Sequence, residues 1–490
     1  MTPITKNRTP YQATYAVLAL AVGGYALLQS LVIPVLPTIQ AGLHTSQNTV
    51  TWVLTAYLLS AAIFTPIMGR LGDMYGKERL LVLTLLALTV GSLLAALAGS
   101  MTIMIVARVI QGIGGGVLPL SFGLIRDEFP KEKVMGAIGT VAALAAAGSG
   151  LGIALAGPIN DAMGWHWLFW IPMIVLAIGM VAAHVVIPES DVRTPGTLSW
   201  AGIVLLTVWL VAGILGISEA PTWGWGSTRI VGLLLGAVVI CVIWVIVESR
   251  SSHPLIDMKM MRIPAVWSTN LVALLTGMSM YSVFAFLPEF LQTPSSSGYG
   301  FGASVTLSGL ILLPSSILMF VCGIASGSLV RRLGLKAVLL LGLVVSVFSF
   351  AILTFAHVAK WEILLAMIIE GAGYGLVFAA SSSLVVVSVP PDQTGVASGM
   401  NANIRTIGGS IGAAVMSSIV TAGVRAGELP RESGYTHGFL LLTIACVAAI
   451  GAATLVPRHL RPPSTRSEAT MTHAELGMVA AGTLVGDESE

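Results

Sequence analysis

Charge is what this chain is short of. Only 9% of its 490 residues are Asp, Glu, Lys or Arg, against about 25% in ordinary soluble domains. With 56% apolar residues and a mean hydropathy of +0.91, a soluble globule is excluded, because it could not hide that much apolar surface. The few charges nearly balance, at net +2, and form no basic block outside the loops, so no nucleic-acid partner is expected. Cysteine is scarce as well. Cys241, Cys322 and Cys446 stand alone in apolar runs, which builds neither a metal site nor a redox pair. His184, His357 and His437 fall at scattered helix ends, so an enzyme's base or ligand set at one depth is not expected. There is no small-residue cleavage site after Lys6 and Arg8, so the first apolar segment should stay in place as a spanning helix. Period-two alternation is missing too, which argues against a barrel of strands.

What the chain has instead is apolar runs of one length. A helix that crosses a bilayer needs about 20 mostly apolar residues at about 1.5 Å each. Fourteen stretches qualify: 13–37, 49–69, 80–99, 101–125, 134–157, 166–187, 199–218, 229–248, 265–290, 304–328, 337–356, 361–386, 394–420 and 437–456. The expected fold is all-α, a polytopic membrane protein with short connections and no room for a soluble domain. Lys and Arg stay on the cytoplasmic side during insertion. With the N-terminus inside, eighteen of the 24 fall in cytoplasmic segments and four, Arg229, Lys360, Arg425 and Arg431, outside, while Arg108 and Arg405 lie within helices. Both termini are therefore expected in the cytoplasm, and 457–490, polar and aperiodic, reads as a disordered tail.

The sequence repeats itself. Gly69 to Gly76 recurs as Gly327 to Gly334 at an offset of 258, Gln111 to Gly116 recurs as Glu370 to Gly375 at 259, and Gly136 matches Gly395, again at 259. Two pseudo-symmetric six-helix bundles, 1–190 and 261–456, account for twelve helices and leave 191–260 as an inserted pair. Duplicated halves around a midplane site suit alternating access.

Two motifs carry chemistry. Residues 69–79 read Gly-Arg-Leu-Gly-Asp-Met-Tyr-Gly-Lys-Glu-Arg. Gly69 and Gly76 allow a tight turn, Asp73 can accept charge-assisted hydrogen bonds or face a helix N-terminus, and Arg70, Lys77 and Arg79 can pair with Asp127. The plain alternative is a positive-inside loop with one solvated acid. The second motif runs from Arg108 through Gln111 to Gly116. A guanidinium at membrane depth is costly unless it faces water, a partner or backbone carbonyls. The glycine run lies inside a spanning helix with no strand before it, so close helix packing explains it better than a dinucleotide loop.

With these motifs the chain resembles the major facilitator superfamily, specifically its fourteen-helix drug:proton antiporter branch. Pro37-Thr-Ile39, Trp52 with Tyr57, the Trp165-His-Trp167 segment and the run from Asn401 to Arg405 are similar to that branch too, so the resemblance reaches residue 456. Two places depart from it. Leu28, beside Gln29, stands where the family usually has an acid, and Ile153 replaces an expected proline after Gly148 and Gly152. The resemblance implies a small-molecule exporter of the bacterial plasma membrane, acting as a monomer in the bilayer, with no cofactor and a proton gradient as its energy source. A facilitator or uptake permease of the same fold, or a receptor that moves nothing, are the alternatives. The resemblance also implies that the cluster of 69–79 with Asp127 latches the two halves. It places the cavity between helices one, two, four and five and helices nine, ten, twelve and thirteen. Polar contributors expected there are Gln29, Tyr57, Arg108, Gln111, Asn270, Glu370, Asn401, Asn403 and Arg405, each open to the alternative of helix–helix hydrogen bonding. Proton coupling needs a membrane-depth carboxyl. Glu370 is the better candidate and Glu289 the second, with Arg108 also assigned to coupling; pairing of Glu370 with Arg405 or Arg108 is the structural alternative.

Overall fold

Apolar runs of this length, with every backbone N–H and C=O obliged to pair internally in lipid, become long helices. The computed structural model describes residues 10–45, 47–189, 199–251, 254–390, 393–422 and 429–457. The expected tail lies outside these residues apart from Pro457, as do Lys6, Arg8, Arg193 and Arg425. The helices are α1 (Tyr11–Ser30), α2 (Leu36–Gly42), α3 (Gln47–Tyr75), α4 (Lys77–Ala96), α5 (Met101–Gly112), α6 (Val117–Glu128), α7 (Lys131–Met163), α8 (Trp167–Val186), α9 (Trp200–Trp223), α10 (Thr228–Arg250), α11 (Met258–Met261), α12 (Pro264–Gln292), α13 (Val305–Leu333), α14 (Leu335–Phe355), α15 (Lys360–Ser388), α16 (Thr394–Val420) and α17 (Glu432–Thr454). There is no strand among the described residues. Serines at N-caps start several helices: Ser100 accepts from the Ile103 N–H, Ser199 from Gly202, Ser227 from Ile230 and Ser304 from Leu307.

Thirteen spans among the described residues are long and apolar enough to cross a membrane, α5 and α6 counting as one. The fourteenth expected span coincides with α16, whose 27 residues suffice in length; Asn401, Asn403 and Arg405 lower its apolarity. The structure changes one local expectation. The motif after the second span is not a loop, because α3 runs on through Gly69 and Gly72 to Tyr75. The chain reverses at Gly76 alone, at φ 115°, and at its repeat counterpart Gly334, at φ 85°, conformations that cost a side-chain-bearing residue.

The same three pairings recur in both halves of the repeat. In residues 10–189, α1 packs on α7, α3 on α5 and α4 on α8; in residues 264–456, α12 packs on α16, α13 on α15 and α14 on α17. Two seams join the halves, α7 with α13 and α3 with α16, which the repeat makes counterparts. The inserted α9 and α10 pack on each other, and α9 also touches both α3 and α16, so it covers one seam and breaks the symmetry. Leu235, Val238, Val239, Val242 and Ile243 of α10 stay exposed, as a lipid-facing surface should.

The glycine run packs as expected. A Cβ on Gly115 would lie 2.9 Å from the Ala61 carbonyl oxygen, one on Gly114 would strike Leu88, and one on Gly116 would strike Met68. The run therefore lets the fourth span touch α3 and α4, through a short 3-10 turn at Ile113–Gly116. Its repeat, Gly371, Gly373 and Gly375, meets α13 and α14 in the same manner.

Candidate functional site

Between the two seams lies a cavity lined by α1, α6 and α7 from one half and α12, α15 and α16 from the other. Its walls include Tyr25, Gln29, Phe122, Ser149, Tyr281, Phe378, Ser382, Ser398, Asn401, Arg405 and Thr406. Of the expected contributors, Gln29, Asn401 and Arg405 line it. Gln29 Nε2 donates to the Tyr281 hydroxyl across the halves at 3.1 Å. Arg405 Nη2 donates to Asn401 Oδ1 at 2.9 Å, and its guanidinium carbon lies 4.3 Å from the centre of the Phe378 ring. The second and tenth spans, α3 and α13, do not line the cavity; they form the seams instead.

The remaining expected residues sit behind the cavity wall. Arg108 is fully buried between α3 and α5, where Nε donates to the Val53 carbonyl and Nη1 to Gln111 Oε1, both at 2.8 Å, and the guanidinium lies over Tyr57 at 4.3 Å. Gln111 passes the chain on to Ser92 at 3.1 Å. Asn270 accepts from Asn401 at 2.8 Å, and Asn403 donates to the Ala62 carbonyl across the α3–α16 seam. Tyr57, Gln111, Asn270 and Asn403 thus hold helices together. Glu370 is buried in the core of the second half and accepts a hydrogen bond from Ser315, while its Oε1 has no partner among the described residues. Pairing with Arg405 or Arg108 is not made, since each arginine is engaged elsewhere. Glu289 stands in the last turn of α12, with its side chain exposed rather than enclosed between helices.

The face that carries the Lys- and Arg-rich connections, here the basic face, holds the other cluster. Lys77, 2% exposed, pairs with Asp127 at 2.8 Å and with Asp73 at 3.5 Å. Its stem crosses Gly123, where a Cβ would lie 2.8 Å from Lys77 Cδ. The expected pairing of Arg79 with Asp127 is replaced: Arg79 reaches Glu189 at 2.9 Å, because it lies on the outward side of the α4 start. Arg70 makes no ion pair among the described residues. All members of this cluster belong to one half. The arm that crosses is Arg126, which donates to the carbonyls of Val386 at 2.7 Å and Val389 at 3.0 Å, and to the Thr394 hydroxyl. On the opposite face, Thr306 donates to Asp161 across the α7–α13 seam at 2.9 Å.

Sequence reasoning missed Arg126, Tyr25 and Tyr281. Arg126 read as one more positive-inside charge, although its place next to Asp127 in the last turn of a helix was a signal. Tyr25 and Tyr281 stand near corresponding places of the first and ninth spans, so the repeat could have nominated them together.

A sequence model of the Major Facilitator Superfamily matches residues 18–413. The Tetracenomycin C resistance and export protein of Streptomyces glaucescens is 29% identical, covering 99% of this chain and 91% of that protein. The Multidrug transporter protein MdtP of Bacillus subtilis is 30% identical over 77% of this chain and 69% of its own length. Among solved structures, the human organic anion transporter MFSD10 superposes with a TM-score of 0.67 at 16% identity, over 91% of this chain and all of that one. At that identity the likeness speaks for the fold.

Proposed function

The chain belongs to the Major Facilitator Superfamily, and within that family of multi-pass membrane transporters we propose that it exports small hydrophobic or amphipathic compounds by proton antiport and alternating access. The observation that carries this reading is the cavity walled by both halves, with Lys77 and Arg126 engaged on the basic face. A rocking motion that breaks the Arg126 contacts and re-forms them would expose the cavity to each side in turn. The basic face is then the cytoplasmic one, with both termini there. Export as the direction draws support from the name of the Streptomyces glaucescens relative.

Glu370 carries the proton in this scheme. No Lys or Arg among the described residues pairs with its carboxyl, so its charge state and the packing of α15 on α13 are linked. Ser315, its hydrogen-bond partner, follows Pro314 on α13, the helix that forms a seam with the other half. Gain or loss of a proton thereby reaches the seam without passing through the cavity. An uncoupled facilitator is the second reading, supported by the buried Leu28 and by a cavity that holds no carboxylate among the described residues.

The test is reconstitution into liposomes that hold a pH-sensitive dye, with an imposed proton gradient and a panel of cationic, neutral and anionic amphipathic compounds. Antiport predicts proton flux only when a compound is added, and its loss in Glu370→Gln with binding retained. Compound movement without proton flux would decide for the facilitator.

A further inference from the structure

The charge of the cavity wall is one-sided. Among the described residues Arg405 is the only ionisable acid or base lining it apart from tyrosine, and no Asp or Glu of these residues faces it. Of the five N–H groups of the guanidinium, one bonds Asn401, and no carboxylate pairs with Arg405 among the described residues. A second polar group is also unspent. Ser398, 6% exposed and on the same helix, lines the cavity, and its Oγ has no hydrogen-bond partner among the described residues. Glu370, the carboxyl expected to act at depth, is shut inside the second half and does not line the cavity, so it cannot offset this charge for a ligand.

We propose that the cavity selects organic anions: compact aromatic compounds that carry a carboxylate or an ionised phenol, with the acid group on Arg405 and Ser398 and the rings among Tyr25, Tyr281 and Phe378. This rests on the transport reading above and names the substrate class of that same site. A guanidinium at membrane depth is stabilised by a ligand's negative charge far more than at a surface, because the surroundings screen poorly, and its planar fork matches a carboxylate. A lipophilic cation meets the reverse. It would face Arg405 with no acid to hold it, and the Phe378 face that could bind it is already occupied by Arg405 at 4.3 Å.

The experiment compares three dyes of one ring system in counterflow with the reconstituted full chain: fluorescein as the anion, an uncharged fluorescein derivative, and rhodamine 6G as the cation. Binding to the detergent-solubilised protein is followed in parallel by fluorescence anisotropy. The proposal expects the anion to move at least about tenfold faster than the cation. It also expects Arg405→Gln to lower the anion-to-neutral ratio by about tenfold, with Arg405→Lys recovering part of it. Should the variants not fold, the three-dye comparison on the unaltered protein still decides. Equal rates, or a faster cation, would overturn the anion assignment and leave the transport reading standing. An anion that binds tightly but never crosses would support the assignment and overturn transport. No binding and no movement of any dye would overturn both.

Discussion

Lys77 is a single side chain on which two buried acids depend. Asp73 and Asp127 are 2% and 4% exposed, and both lie within 3.5 Å of its ammonium nitrogen. Removing the cation leaves two acids in a poorly hydrated place, which in comparable buried pairs costs about 3–5 kcal/mol. Lys77→Met is therefore expected to lower the unfolding temperature in detergent clearly, and a second change, Asp127→Asn, to restore part of the loss. A Lys77→Met protein as stable as the parent would mean that the acids are solvated. Beside it, Arg126 works by geometry more than by charge, since its fork meets two carbonyls at the C-terminal end of α15, where a helix dipole favours a cation. Lysine cannot reproduce that fork. In Arg126→Lys, a cysteine placed at Ser388 should react several-fold faster with an impermeant maleimide applied to the basic face; an unchanged rate would show that Arg126 does not hold the halves together there.

At the scale of helices, the seams depend on small residues. Along α7 and α13, a Cβ on Gly309 would lie 2.8 Å from Ala154 Cα and one on Gly157 would lie 2.8 Å from the Thr306 nitrogen. Backbone does not give way as a side-chain tip does, and overpacking of this kind costs about 1–3 kcal/mol. Gly309→Leu should thus reduce both thermal stability and flux, whereas Gly451→Leu, where a new Cβ meets nothing within 4 Å, should leave both near the parent values. Equal effects at the two sites would argue that lipid-facing apolarity, not the seam, sets the response. The seams also differ from each other. Only α3–α16 is covered by α9, whose Trp209 packs on Trp244 of α10 with ring centres 6.0 Å apart, while Glu248 at the end of α10 accepts from the Ile256 N–H at 3.2 Å. That bond ties the pair to the chain that re-enters the second half.

For the molecule as a whole, polar contacts join the halves both inside, at Gln29 with Tyr281 and Asn403 with Ala62, and at the two faces, where the proposed rocking motion would separate them in turn. Arg126 crosses on one, and Thr306 with Asp161 crosses on the other at 2.9 Å. In a protein freed of Cys241, Cys322 and Cys446, the pair Asp161→Cys with Thr306→Cys should form a disulfide on oxidation. Flux is expected to fall by about tenfold or more in the cross-linked form and to return on reduction. Full flux through the cross-linked protein would rule out separation of the halves at this face.

How far each level was legible follows from what the surroundings demand of a side chain. Lipid demands some twenty apolar residues per crossing, so spans such as 394–420 could be read from the sequence to the residue, and the repeat paired Gly76 with Gly334 before either turn was seen. The direction of a polar side chain at one depth is set by which helix lies across from it. Gln29, Asn270, Asn401, Asn403 and Arg405 look alike in a linear chain; packing turned Gln29, Asn401 and Arg405 into the cavity and spent Asn270 and Asn403 on neighbouring helices. Composition and periodicity by themselves determined the membrane, the helices and the duplication, because those answer to the average apolarity of a segment. Only the tertiary structure decided that Arg126 rather than Arg79 crosses between the halves, that Glu370 stands apart from both deep arginines, and that the cavity presents a cation and, among the described residues, no acid, because each is a matter of single distances between elements far apart in sequence.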